Sequence, residues 1–304
     1  MRKYFIILLF FFVACTQRSK SNEQSEAVKK DTTIRISVDE SFEPVISEEI
    51  KVFESAYPDT KVIVEYKPEA QCLRDLQKDS TKLVIISREL SKIETKYFND
   101  KIGFKPEFAQ LAKDAIAVIV NVNTTDSVFS IARLKNLLSE SNSDKLKVAI
   151  DGNTATSTVR YLRDSLLKGG LFSKNIQGAK NSEDLINYIS TTENAVGFVG
   201  ISWITNPKSK QQEEALKKVK LALVECKNCD KDTYAKPSQQ TITFNQYPLV
   251  RGLYYALKEN YAGLGSRFVF FLTTERGQLI FRRASLVPTK MNFSRRTTNI
   301  KESD

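Results

Sequence analysis

From Ile34 onward, short β-branched runs alternate with stretches of helical period, and this alternation constrains the fold more than any other feature of the chain. IRISV (34–38), KVIVEY (61–66), KLVIIS (82–87) and DAIAVIVN (114–121) read as strands. The last two are near-continuous apolar runs, as expected of parallel strands covered on both faces. Between them, EPVISEEIKVFESAYP places Val45, Ile46, Ile50 and Phe53 at helical spacing, AQCLRDLQK reads as a short helix and SKIETKYFND as a polar one. SIARLKNLL (helix), LKVAI (strand), SEDLINYIST (helix) and AVGFVGI (strand) continue the pattern. KVKLALVE and TITFN read as strands, PLVRGLYYAL as mixed, and GSRFVFFLTTERGQLIFRRAS as one long closing helix. NPKSKQQEEALKK (206–218) reads as a surface excursion. The alternation predicts an α/β architecture with largely parallel sheets. A length of 304 residues allows one large domain or two medium ones.

The first residues read as an export signal. Arg2 and Lys3 precede an apolar run, Tyr4 to Val13, that is too short to span a bilayer as a helix. The run meets Val13-Ala14-Cys15, which reads as a lipobox, so residues 1–15 form a lipoprotein signal and Cys15 is the acylation site. Acyl chains there would anchor the chain to a membrane without a spanning helix. Residues 16–31 are polar and read as a flexible tether. The expected location is periplasmic or cell-surface, anchored through Cys15. A net charge of +10 favours anionic partners, and the export signal argues against nucleic acid.

The chain has no histidine. This excludes Ser-His-Asp and Cys-His catalysis and every His-ligated metal site. No cofactor or metal is expected. Cys226 and Cys229 form a CxxC that follows a strand-like run rather than opening a helix, so a local disulfide or two free thiols is expected. Cys72 is left over.

Ligands of open α/β folds lie beyond the carboxyl ends of strands, where helices begin, and three such junctions are unusual here. At the first, Ser37-Val38-Asp39-Glu40-Ser41-Phe42, Ser41 either caps the following helix or offers its hydroxyl to a ligand. At the second, Ser87-Arg88-Glu89-Leu90-Ser91, a capping box with Glu94 explains Ser91. Arg88 either clamps an oxyanion or pairs with a carboxylate such as Glu89 or Glu40. The third, DGNTATST (151–158), crowds hydroxyls at a helix start. One cap needs one or two of Thr154, Thr156, Ser157 and Thr158; the rest would form a neutral anion cradle. Asp151 suits an anion site only if the ligand brings a proton.

Taken in order, DESFEP (39–44), DAIAVIVN (114–121), DGNTATST (151–158), NAVGFVGISW (194–203) and YPLVRGLYYALK (247–258) resemble the substrate-binding proteins of phosphate ABC transporters. The wording is similar to the lipoprotein versions of the Bacteroidetes group, and the likeness runs from about 34 to 293. It implies a two-lobed type II periplasmic-binding-protein-like fold with mixed, mainly parallel sheets and two crossover strands. One lobe would be 32–115 plus 238–304, and the other 116–237. The family's anion contacts map onto Ser41, Phe42, Thr154, Ala155 and Thr156, with Ser157 beside them. Glu69 and Ala70 lie where the family has a Ser-bearing loop. Where the family has Ser-Asp after the third strand, this chain has Ser87-Arg88. Where it has an Arg two residues before the Asp-Gly, this chain has Ala149. The resemblance therefore suggests Arg88 as the replacement arginine, with Asp151, Glu69 or Glu40 accepting a ligand proton.

The expected function is binding of inorganic phosphate between two lobes and its delivery to an ABC transporter permease, by a monomer and without turnover. The alternatives are another oxyanion or a phosphorylated small molecule as ligand, or a surface or signalling lipoprotein that keeps the fold without import.

Overall fold

The computed structural model describes residues 32–139, 144–152 and 156–290. The expected signal, Cys15, the tether, Thr154 and Ala155 lie outside the described residues.

β1 (Thr33–Asp39) buries Ile34, Ile36 and Val38. It ends where the Asp39 carboxylate accepts the Ser41 N–H at 3.0 Å, starting a 3-10 turn over Glu40–Phe42. α1 (Glu43–Ala56) follows with Pro44 in its first turn, where proline's missing N–H is harmless. It buries Val45, Ile46, Ile50 and Phe53, the stripe read from the sequence. β2 (Lys61–Lys67), α2 (Glu69–Leu76), β3 (Leu83–Ile86) and α3 (Lys92–Ile102) complete the first run. α3 carries the capping box between Ser91 and Glu94. β4 (Glu107–Asn121) is the long strand, with 15 residues. Then come β5 (Val128–Phe129), α4 (Ile131–Leu138), β6 (Lys147–Asp151) and α5 (Ser157–Tyr161), which runs on into a π turn over Leu162–Leu166. β7 (Gln177–Ala179), α6 (Ser182–Thr191), β8 (Ala195–Gly200), α7 (Ser202–Thr205), α8 (Lys210–Leu216), β9 (Val219–Leu221), β10 (Leu223–Glu225) and β11 (Tyr234–Ala235) follow. α9 (Gln239–Thr243), β12 (Val250–Leu257), α10 (Leu264–Thr273), α11 (Glu275–Arg283) and β13 (Val287–Pro288) close the described chain.

The main sheet runs β2-β1-β3-β12-β4-β8-β6-β7, with β13 and β9 also on β4. Its flanks are parallel, β2-β1-β3 on one side and β8-β6-β7 on the other. Its centre is antiparallel, because β4 and β12 carry the chain between the flanks. The early part of β4 pairs β12 and its later part pairs β8, so one continuous strand belongs to both halves. The return runs beside it: Ile116 N–H donates to the Leu249 carbonyl at 2.9 Å, and Tyr247 OH donates to the Ile116 carbonyl at 2.8 Å. This is the α/β fold of type II periplasmic binding proteins, with helices covering both sheet halves. α1 and α10 are joined by an aromatic seam in which Phe53 meets Phe268 edge-on with ring centroids 4.9 Å apart.

Three local readings change. TITFN is not a strand: Ser238 and Thr241 form a capping box that starts α9, and this local signal overrides the alternation. The closing helix is two helices, broken at Thr274, whose backbone is extended. Gly277 permits the fold-back, since a Cβ there would lie 2.5 Å from the Phe271 carbonyl oxygen. KVKLALVE divides at Ala222, with β9 joining β4 and β10 entering a separate sheet with β11 and β5. NPKSKQQEEALKK contains α8, capped by Ser209.

Candidate functional site

The ends of β1 and β6, the starts of α5 and α6 and the head of β12 meet in one buried polar cluster. Its centre is Arg251 on β12, which is 4 % exposed. The guanidinium Nε donates to Asp114 Oδ2 at 2.8 Å, and Asp114 is the register partner of Arg251 on β4. Nη1 donates to Ser157 Oγ at 2.8 Å and to Thr158 Oγ1 at 3.2 Å. The guanidinium carbon lies 4.8 Å from the centre of the Phe42 ring, a stacking that arginine's planar group suits. Nη2 is buried and has no hydrogen-bond partner among the described residues.

Hydroxyls fill the next layer. Ser41 Oγ lies 3.2 Å from Ser157 Oγ and 3.4 Å from Thr158 Oγ1, and donates to Asp151 Oδ2 at 3.5 Å. Asp151 Oδ2 also accepts Thr158 Oγ1–H at 2.9 Å and Ser182 Oγ–H at 3.3 Å. Thr156 is the N-cap of α5: its Oγ1 accepts the Val159 N–H at 3.1 Å and donates to the Asp151 carbonyl at 3.0 Å. That single cap leaves Ser157 and Thr158 free to serve the cluster.

The cluster is rich in acids. Burial, aided by Asp39, pushes the Asp151 carboxyl up to about 7 against the pull of Arg251 and Thr158. Burial and the nearby Glu69 push Asp39 up to about 6. Glu40, half-buried, is pushed up to about 8 by burial and by Asp151, Asp39 and Glu43. Burial also raises Asp114, opposed by Arg251.

A second knot joins the two halves of the sheet. Glu69, at the start of α2, is buried, and Ser87 follows β3. Glu69 Oε1 accepts both the Ser87 N–H and the Ser87 Oγ–H at 2.9 Å. Arg160 of α5 reaches across: Nε donates to Glu69 Oε2 at 2.5 Å, and Nη2 donates to Ser87 Oγ at 2.7 Å. Burial raises the Glu69 carboxyl, but Arg160 and Ser87 overcome it and hold the group below its ordinary value. Both Glu69 oxygens are therefore committed within the chain. Ala70 follows it on α2 and is half-buried.

The structure thus brings Ser41, Phe42, Asp151, Thr156 and Ser157 together, and places Glu69 and Ser87 in the neighbouring knot. It does not bring Arg88 to either. Arg88 Nη1 and Nη2 donate to the two Glu94 oxygens, each at 2.8 Å, and Nη1 also donates to the Glu89 carbonyl at 2.8 Å. Of the two readings of Arg88, the carboxylate pair is the one seen, but with Glu94 rather than the Glu89 or Glu40 side chain. The reason is local: the capping box fixes Glu94 beside it. The arginine in the hydroxyl cluster is Arg251, which the motif reading passed over. Its signal was a lone charge at the head of an otherwise apolar strand, VRGLYYAL, matched by Asp114 at the head of DAIAVIVN. Two such charges in buried strands require each other. Arg160, Asp39, Thr158 and Ser182 complete the set.

Among the described residues no group of Cys, Asp and Glu has metal-ligating character. No helix among them is long and apolar enough to cross a membrane. Cys226 and Cys229 are joined in a disulfide, and Cys72 is a buried free thiol.

Residues 22–276 match the model of the PBP superfamily domain. A phosphate-binding protein PstS of Pseudomonas aeruginosa is 22% identical over 260 residues, covering 78% of this chain and 76% of that protein. A putative phosphate ABC transporter substrate-binding protein from Clostridium perfringens, solved with bound phosphate, is similar in structure with a TM-score of 0.67. It is 18% identical, over 85% of this chain and 100% of that one. An ABC-type phosphate transport receptor from Vibrio cholerae aligns with a TM-score of 0.61 at 17% identity, over 84% of this chain and 99% of that one.

Proposed function

The chain belongs to the PBP superfamily, and from that premise we propose that it binds inorganic phosphate between two lobes and hands it to an ABC importer. The lobes are 32–115 plus 238–304 and 116–237, and Cys15 carries the lipid that holds the protein on the outer side of a membrane. The binding is reversible and without turnover.

The observation that carries the reading is the cluster around Arg251: a buried guanidinium flanked by the Ser41, Ser157 and Thr158 hydroxyls at the carboxyl ends of the strands. A fixed cation with neutral donors suits an oxyanion, since the donors need no reorganisation and water is excluded. The relatives support phosphate as that anion. Arg251 supplies a positive charge in the hydroxyl cluster, which neither position 149 nor Arg88 provides.

Calorimetric titration tests this. The chain from residue 32, unfolded and refolded to strip bound anion, is titrated with phosphate. One phosphate per chain supports the proposal. No heat with phosphate, but binding of a phosphorylated small molecule, moves the ligand to that class. That second reading draws on the acid-rich surroundings, which disfavour a small dianion.

A further inference from the structure

α3 leaves two large apolar side chains open to solvent. Ile93 is 82% exposed and Tyr97 is 44% exposed, and their four-residue spacing puts them on one side of the helix. The acids of this helix are already matched: Glu94 is held by Arg88, and Asp100 pairs with Lys96 at 2.7 Å. Lys92, Lys101 and Lys105 make no ion pair among the described residues. Lys101 lies over the Tyr97 ring and Lys105 over the Phe108 ring, 5.9 and 5.4 Å from their centres. Beside the helix runs a groove of about 500 Å³, lined by the apolar Leu90 and Phe108 together with Lys92, Lys96 and Lys105, with Glu89 as its one acid.

α3 ends at the edge of the sheet where β1 begins. β1 and β3 run parallel with Ile36 opposite Leu83, so the start of β1 lies at the start of β3. At that edge the Lys258 N–H donates to the Lys82 carbonyl at 2.7 Å, and Lys101 Nζ donates to the Gln77 carbonyl at 2.7 Å. Burial, with Lys82 and Lys101 near by, holds the Lys258 ammonium below its ordinary value. The edge is thus basic as well as being the point where the chain enters the domain. Sixteen residues, 16–31, lie between Cys15 and the first described residue. At about 3.4 Å per residue they span at most about 55 Å. Acyl chains on Cys15 would keep this edge near a bilayer at an effective concentration on the order of millimolar, where a weak contact suffices.

We propose that α3 and its groove form a membrane-binding face: Ile93 and Tyr97 enter the headgroup layer of an anionic bilayer, and Lys92, Lys101 and Lys105 meet its lipid phosphates. The proximity argument rests on the lipid anchor proposed above. α3 has 11 residues, too few to span a bilayer, and turns Phe98 to the core. An exposed apolar pair flanked by lysines is what a helix lying in the membrane interface requires. A soluble polyanion would use the lysines but leave Ile93, Tyr97 and the apolar lining of the groove in water. Each lysine at an anionic surface strengthens partition about fivefold, so three give about a hundredfold. That is weak for a free protein and enough to orient a tethered one.

The test is co-sedimentation of the unacylated chain, residues 16–304, with two kinds of vesicle. One is phosphatidylcholine with about 30 mol% phosphatidylglycerol, the other phosphatidylcholine alone. Each is run in roughly 0.05 M and roughly 0.5 M salt. The expected result is binding to the anionic vesicles in low salt, loss of that binding in high salt, and no binding to the neutral vesicles. Lys92→Gln/Lys105→Gln should weaken it about twenty-fivefold, and Ile93→Ser/Tyr97→Ser about tenfold. All four side chains are exposed, so the fold is expected to survive, and circular dichroism checks it. Lys174→Gln/Lys210→Gln removes the same charge from exposed positions outside α3 and should change binding little. No binding to anionic vesicles overturns the proposal, as does equal binding to neutral ones. So do α3 variants that bind as well as the wild type, or an equal loss in Lys174→Gln/Lys210→Gln, which would mean that net charge alone is read. These chains carry no lipid, so the outcome is independent of the anchor. Mass spectrometry of the chain extracted from cell membranes tests Cys15 separately: an unmodified Cys15 removes the anchor reading and leaves the vesicle result standing.

Discussion

Gly200 and Arg251 are in close approach: a Cβ at Gly200 would lie 3.2 Å from Arg251 Nη2 and 3.0 Å from the Ser41 carbonyl oxygen. Both neighbours belong to the hydroxyl cluster, and neither has room to retreat in a buried site. Gly200→Ala is therefore expected to displace the guanidinium or the 3-10 turn by a few tenths of an ångström. The loss of stability should be about 1–3 kcal/mol, as for other overpacked cores, with phosphate affinity falling at the same time. Urea unfolding and calorimetric titration of the variant check it, and unchanged affinity would show that the cluster tolerates repacking.

Arg251 and Asp114 form a buried ion pair at 1% and 0% side-chain exposure. Removing one partner strands the other, so Arg251→Leu alone should cost roughly 3–5 kcal/mol. The double variant Arg251→Leu/Asp114→Leu removes both charges and should recover most of that loss. Phosphate binding should not recover, because the cation is gone. Chemical unfolding of the two variants, with titration of the double one, separates the structural role of Arg251 from its role toward ligand.

The periodic part of this architecture is legible in sequence because burial on both faces writes itself as apolar runs such as KLVIIS and DAIAVIVN. The hydroxyl half of the site is legible for a different reason: DGNTATST holds more helix-starting residues than one cap can use, and Thr156 is the cap of α5. The charged half is not legible by motif. Arg251 and Asp114 are distant in sequence and become neighbours only through the antiparallel register of β12 on β4. Arg88 shows the opposite case. A residue placed by its position after β3 is claimed by Glu94, three residues past the helix cap, because the capping box holds Glu94 within bidentate reach of it. TITFN alternates like a strand yet opens a helix, because a two-residue alternation in a short segment is outweighed by the capping box between Ser238 and Thr241 at its start.

Glu49 on α1 is fully buried, and both carboxyl oxygens lack partners among the described residues. Burial alone holds its carboxyl well above the ordinary range. Its folded value exceeds its unfolded one, so its contribution is fully present below the unfolded value of about 4.3 and is lost as pH rises through the folded value. Glu49→Leu removes this linkage and adds a good helix former. The variant should be more stable by about 1–3 kcal/mol near neutral pH, with a larger gain at pH 8 than at pH 5. Urea unfolding at the two pH values checks the sign; an equal gain at both would mean that the folded carboxyl is ionised at both pH values, like the unfolded one.

Arg160 ties α5, which carries Ser157 and Thr158, to Glu69 and Ser87 across the sheet. If ligand leaves by the two halves moving apart, as in the two-lobe reading proposed above, these bonds break on opening. The knot should therefore act on release more than on capture. Glu69→Gln keeps the side chain's shape and its acceptor oxygen but removes the charge that anchors Arg160. It is expected to speed phosphate dissociation about tenfold, a loss of about 1.4 kcal/mol, with the association rate little changed. In the wild type, the depressed Glu69 carboxyl contributes stability that is present above its unfolded value and lost as pH falls through its folded one, so the clamp should hold throughout pH 6–8. Stopped-flow measurement of both rate constants at pH 6 and pH 8 decides the matter. A change confined to association would mean that Arg160 and Glu69 steer the anion in rather than hold the halves together.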